Sequence, residues 1–197
     1  MLPDPKKKYT FTKYISFKKF KRKEIIDGDL IKYEPPRRIH QKVCLAMAAQ
    51  FYTLLENTPY EVYTAPFTVR MYGDDGRDMR NCNIVVQPDI SVICDRSKLD
   101  IWGCNGAPDL IVEVLDHSKK IYDTNVKHTL YTDTGVREYW IADPDSKTVE
   151  VHYRDENDHL STVRIYTSEE KAKINILQDT YTELFSDCSI DLSRVFR

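Results

Sequence analysis

The sequence predicts an α/β protein in which helices flank a mixed central β-sheet, with extra β-hairpins added. Three observations carry that prediction. Apolar residues recur at helical spacing between Arg37 and Glu56. Three strand-like runs follow, EVYTAPFTVRMY, NIVVQPDISVIC and PDLIVEVL. A second helical pattern then leads into a fourth run, VREYWIADP. That order, αβββαβ, is the signature of layers packed on both faces of one sheet. With 197 residues, 41% hydrophobic and 30% charged, the chain can bury a full core and is too apolar to be disordered. The expected division is a basic N-terminal segment over residues 1–23 and a single domain over residues 24–197.

Residues 1–23 hold nine Lys/Arg and one acid, so this segment is +8 while the remainder is −10. Its basic residues alternate with Tyr9, Phe11, Tyr14, Phe17 and Phe20. Such an arm suits a phosphate backbone, or it forms a solvated helix whose aromatics dock on the core. EIIDGDLIKY next predicts a hairpin with Asp27-Gly28 at its turn, stopped by Pro35-Pro36. In the first long helix the apolar stripe is Ile39, Val43, Ala46, Met47, Phe51, Leu54 and Leu55, and Asn57 with Pro59 ends it. GDDGRDMRNCN is a loop between the first two strands, and DRSKLDIWGCNGA connects the second to the third. Ser118 can cap the second helix, with Tyr122, Val126 and Leu130 as its buried stripe and Gly135 at its end. Asp143-Pro144-Asp145-Ser146 turns the fourth strand into TVEVHYR, a further turn leads to LSTVRIYT, and the tail supplies a short strand and a closing turn of helix.

Composition excludes several classes. No apolar run is long enough to cross a bilayer, so no membrane partner is expected. MLPDPKKKYTF has no apolar stretch behind its lysines and does not read as a secretory signal. The five cysteines are scattered, odd in number and never C-x-x-C, which suits a reducing cytoplasm. The five histidines show no metal-ligand spacing with them, so no zinc site is expected. Phosphate-binding, nucleophile-elbow and dinucleotide fingerprints are absent.

The chemistry gathers in PDLIVEVLDHSKK. Alternation places Asp109, Ile111, Glu113 and Leu115 on one face of the strand, with Asp109 about 13 Å from Glu113. Glu113 therefore needs a carboxylate from a neighbouring strand, and Asp89 supplies one if the second and third strands are adjacent. Two carboxylates side by side repel unless a cation joins them, and hard oxygen donors suit Mg2+ or Mn2+. Against this, Asp89 and Asp109 each follow a proline and can simply cap turns. Glu113, between Val112 and Val114, is harder to explain that way, because a lone Glu in a buried run is rare unless paired. On the following helix, Asp123, Lys127 and Tyr131 form a line beside the buried stripe. That line either borders the carboxylates or carries an exposed Asp123–Lys127 ion pair.

Taken together, VVQPDISVI, GAPDLIVEVL, the D-x-x-x-K-x-x-x-Y helix and GVREYWIADP resemble the Uma family of restriction-endonuclease-like proteins, within the PD-(D/E)XK nuclease superfamily. EIIDGDL, Pro36 and His40 resemble its N-terminal pattern, so the likeness spans roughly residues 24–155. The resemblance implies a restriction-endonuclease-like fold and a metal-dependent phosphodiesterase site. Its first acid falls on Asp89 and its strand acid on Glu113, with the backbone carbonyl of Val114 as a further metal ligand. The lysine that usually stands two residues after the Glu is displaced to the helix as Lys127, and Leu115 fills the vacated place. Asp109, Asp123 and His40 match positions of secondary role. Asp116-His117-Ser118 departs from the Ser-Pro-Ser usual after the strand. The implied activity is Mg2+- or Mn2+-dependent endonucleolytic cleavage of nucleic acid, DNA foremost, and a two-fold homodimer by analogy. The alternative is a catalytically silent nucleic-acid-binding or regulatory protein that keeps the fold.

Overall fold

The computed structural model describes residues 7–17, 22–32, 34–71, 79–116, 120–178 and 188–197. Helix α1 (Phe11–Ser16) precedes strands β1 (Lys23–Ile26) and β2 (Asp29–Lys32). Asp27 and Gly28 both take positive φ, 50° and 80°, as a tight hairpin turn requires. Helix α2 (Arg38–Leu55) is followed by β3 (Glu61–Thr64), β4 (Val69–Arg70), β5 (Val85–Val86), β6 (Ile90–Ile93), β7 (Leu99–Asp100), β8 (Gly103–Asn105) and β9 (Leu110–Val114). Helix α3 (Lys120–Asp133) then leads to β10 (Glu138–Asp143), β11 (Thr148–Arg154), β12 (Leu160–Thr167), β13 (Lys171–Lys173), α4 (Asn175–Gln178), β14 (Ser189–Asp191) and α5 (Leu192–Val195).

The central sheet runs β12-β11-β10-β9-β6-β3, with β9 and β10 parallel and its other neighbours antiparallel. A parallel pair needs a crossover, and α3 provides it. The order α2, β3, β6, β9, α3, β10 is the αβββαβ core expected from the sequence. Val43, Met47, Phe51 and Leu55 of α2 pack with Val112, Val114 and Trp140 on one face of this sheet. Ile111, Leu115, Tyr139 and Ile141 on the other face pack with Leu130 and Tyr131 of α3.

A second six-stranded sheet, β2-β1-β5-β4-β8-β7, packs its Ile26, Val69, Val86 and Cys104 against that other face. The sequence suggests only its first hairpin, because EVYTAPFTVRMY and NIVVQPDISVIC each read as one strand. Both are split. Pro66 and Pro88 have no N–H to donate, so neither can continue a ladder, and near each the chain passes from one sheet to the other. The connection DRSKLDIWGCNGA likewise forms the β7–β8 hairpin, whose Gly103 admits no side chain, since a Cβ there would lie 2.1 Å from the Thr68 carbonyl oxygen. Aromatics of the basic segment dock on this sheet: Tyr9 and Phe11 are buried with Ile25, Cys82 and Val85. Among the described residues no helix is long and apolar enough to cross a membrane.

Candidate metal and phosphodiester site

Asp89 stands immediately before β6, where the chain leaves the second sheet after Pro88. The last β6–β9 pair is Ile90 with Val112, so one step further sets Asp89 across from Glu113. Asp89 is buried, and Oδ2 accepts the Val114 N–H at 2.9 Å. The amide and carbonyl of a strand residue point to the same side, so the Val114 carbonyl shares that edge. His40 Nε2 lies 3.1 Å from Oδ2, and the Arg22 guanidinium donates to Oδ1 at 2.8 Å. Burial alone would push the Asp89 carboxyl up. The His40 hydrogen bond, the Arg22 charge and the Val114 N–H outweigh it and hold the group well below the usual carboxylate range.

Glu113 is 3% exposed, and its Oε1 accepts from both Lys127 Nζ and Tyr131 Oη at 2.6 Å. Lys127 is itself 1% exposed, with Nζ also 3.6 Å from Glu24 Oε1. Glu24, from β1, accepts the Gln87 N–H at 2.8 Å. Burial and the neighbouring Glu113 push the Tyr131 hydroxyl well up, so it stays a neutral donor. The inward side of α3 thus combines Leu130, expected there, with the polar line Lys127–Tyr131, whereas Val126, also expected in the buried stripe, is exposed, and the Tyr122 side chain lies outside the described residues. A buried carboxylate satisfies both polar tips, and that lets the less apolar line turn inward.

Arg22 links the two halves. Besides Asp89 it donates to the Gln87 carbonyl. Burial opposes its charge, but Asp89, Glu113 and Glu24, in that order, overcome this and raise its pKa. A positive group thus already lies against Asp89 and within the field of Glu113 and Glu24. That stand-in, with hard oxygen donors around it, fits a divalent cation of the magnesium class. A softer set lies beside it: ligand atoms of His40, Cys44 and Asp89 all fall within 4.8 Å of one another. This corrects the expectation of no His–Cys spacing, since His40 and Cys44 are one helical turn apart and share a face. Burial, then the Asp89 charge, push the Cys44 thiol up, which disfavours the thiolate a soft metal needs. The protonated thiol can instead donate to His40 Nδ1, 3.5 Å away, leaving the Nε2 proton for Asp89.

Asp109 is not brought to this cluster. It sits before the opposite end of β9, accepting the Cys94 N–H at 2.8 Å and lying 3.4 Å from Arg137. Asp123 lies in α3 one turn before Lys127, and its side chain, like Ser118 and His117, is outside the described residues. His128 packs on His152 and Tyr139. Sequence reasoning missed Glu24, Arg22 and any role for Tyr131. Glu24 carried the same signal as Glu113, an acid entering an apolar strand (Lys23-Glu24-Ile25-Ile26). Tyr131 stood on the Lys127 line. Nothing in the basic run singled out Arg22.

A family model described as "Putative restriction endonuclease", Uma2, matches residues 10–184. That is most of the 197-residue chain. The chain belongs to the Uma2 family. Its fold is similar to the crystal structure of a putative nuclease belonging to DUF820 from Anabaena variabilis, with a TM-score of 0.71, 15% identity, and coverage of 95% of this chain and 97% of that one. At that identity the likeness speaks for the fold, which is restriction-endonuclease-like. No curated protein matches the chain. For a Uma2 protein, the cluster of Asp89, Glu113 and Lys127 lies where β6, β9 and α3 meet.

Proposed function

We propose that this Uma2 protein is a Mg2+- or Mn2+-dependent endonuclease that hydrolyses phosphodiester bonds of nucleic acid, DNA foremost. One observation carries the reading. Two buried carboxylates, Asp89 just before β6 and Glu113 in the neighbouring β9, lie within the field of Arg22, with a buried lysine 2.6 Å from Glu113. Asp89, Glu113 and the Val114 carbonyl would hold the metal. A bound divalent ion supplies charge for the phosphate oxygens and lowers the pKa of a bound water.

The chain's own residues do the rest. His40 and the Val114 N–H keep Asp89 ionised and aimed. Tyr131 fixes the Glu113 carboxylate. Lys127 orients the attacking water: the water oxygen bonds to phosphorus as one of its protons passes to solvent, the opposite P–O bond breaks, and the departing oxygen takes a proton from solvent. Two such sites in a two-fold dimer would address the two strands of a duplex.

The test is plasmid cleavage with Mg2+ or Mn2+ by the wild type and by Asp89→Ala, Glu113→Ala and Lys127→Ala. All three should lose cleavage, and activity persisting in Glu113→Ala overturns the assignment. The silent binding or regulatory reading has one observation in its favour, the ion pair of Arg22 with Asp89. A silent site would bind Mn2+ no better than the triple variant.

A further inference from the structure

Beside this site stands the charge of Arg22. It belongs to the basic N-terminal segment, yet its side chain is only 21% exposed and paired with an Asp89 that is 4% exposed. Its guanidinium holds Asp89 Oδ1 and the Gln87 carbonyl, and feels Glu113 and Glu24 as well. These are oxygens of the kind that a divalent ion would take. A metal on Asp89 Oδ1 would share that oxygen with a guanidinium, a like-charge contact in a poorly solvated place. Both cannot be accommodated as the side chain now stands.

A displaced guanidinium needs another anion. Its planar fork matches a phosphodiester, which presents two adjacent oxygens. Arg22 directly precedes Lys23, the first residue of β1, so its backbone is anchored beside the site while its side chain can turn.

Resting on the proposed phosphodiesterase reading, we propose that Arg22 is an exchangeable counter-ion. It holds the cation position until a nucleic-acid phosphate draws its guanidinium away, so that metal and nucleic acid load together. Linkage makes the coupling reciprocal: duplex should tighten metal binding by the factor by which metal tightens duplex.

The experiment is calorimetric titration of Mn2+ into the full chain, with and without a phosphorothioate-substituted DNA duplex that carries the charges but resists cleavage. For the wild type, duplex should tighten Mn2+ binding about tenfold. Arg22→Gln should bind Mn2+ about tenfold tighter without duplex and show no further gain with it. Arg22→Lys, which keeps the charge without the planar fork, should bind Mn2+ as wild type does without duplex and gain less than wild type from duplex. Circular-dichroism melts establish that each variant is folded. If Arg22→Gln binds Mn2+ no better than wild type, or if its gain from duplex persists, the exchange is wrong. Were Arg22→Gln unable to fold, independence of metal and duplex binding in the wild type would overturn the proposal alone. Asp89→Asn and Glu113→Gln separate the two readings. Loss of Mn2+ binding in both, with Arg22→Gln unchanged, removes only the exchange, whereas wild-type binding in both removes the metal site.

Discussion

Two glutamates are buried on neighbouring parallel strands, and they are held in opposite ways. Glu113 in β9 pairs in register with Ile141, and Glu138 in β10 pairs with Leu110, so the two acids lie on opposite faces of the central sheet. Glu113 accepts from an ammonium and a phenol and lies within the field of Arg22. Glu138 accepts neutral N–H groups: Trp140 Nε1 at 2.8 Å, the Ile176 amide at 2.8 Å, and the Asn175 amide and side chain at 3.1 and 2.9 Å. Those donors tie the tail at α4 to the sheet. Burial of a carboxylate therefore does not mark a site by itself. What differs is the sign of the surroundings. Glu113 stands among cations and further acids, an arrangement that suits exchange of one positive group for another, whereas Glu138 is a fastening.

The largest expected effect puts that difference to work. Glu113→Gln should lower Mn2+-dependent plasmid cleavage at least ~10³-fold, because on the proposed reading it removes a metal ligand, together with the partner of Lys127. Glu138→Gln should lower the melting temperature and leave cleavage at the wild-type level wherever the chain is folded. Comparable loss of cleavage in both, measured below both melting transitions, would erase the distinction.

The two glutamates also measure what the sequence could say. Glu113 was legible because an isolated acid in an apolar strand needs a reason, and the alternation of β9 pointed across the sheet to Asp89, which stands one step beyond the last β6–β9 pair. Lys127 was legible only through the family resemblance, since an i,i+4 Asp–Lys pair on a helix ordinarily points to solvent. The role of Glu138 was not legible, because apart from Trp140 its donors arrive from residues 175 and 176, far along the chain. The αβββαβ core followed from periodicity. The second sheet did not, because its two-residue strands β4, β5 and β7 are too short to carry a period, and Pro66 and Pro88 divide runs whose apolar character continues through them. Arg22 was illegible for the same kind of reason, as one cation among nine whose position only tertiary contacts distinguish.

A smaller effect sharpens the contrast through pH. Burial pushes the Glu138 carboxyl up to about 7, from an ordinary 4.5, with the Ile176, Trp140 and Asn175 donors offsetting only part of it. The folded chain therefore holds this proton where the unfolded chain has released it. The resulting stability is fully present below the unfolded pKa and is lost as pH rises through about 7, amounting to about 3 kcal/mol over that window. Urea midpoints of the wild type should fall between pH 4.5 and 7 relative to those of Glu138→Gln. Parallel pH profiles of the two proteins would show that Glu138 is not the titrating group.

The smallest change divides the functions of one residue. Tyr131→Phe keeps the ring, which packs edge-on against Tyr139 at 5.0 Å, and deletes only the hydroxyl that donates to Glu113. A hydrogen bond to a charged acceptor contributes about 1.5–3 kcal/mol, so some loss of stability is expected whatever the role of Glu113. The discriminating quantity is cleavage at saturating Mn2+. If Tyr131 aims a metal ligand, loosening that carboxylate should lower turnover about tenfold, in the range found for residues that orient metal ligands. If cleavage holds and only the melting temperature falls, Tyr131 belongs with Trp140 and Asn175, a donor that secures a buried acid. The polar line of α3 would then owe its inward turn to packing, with Lys127 as its one chemical contribution.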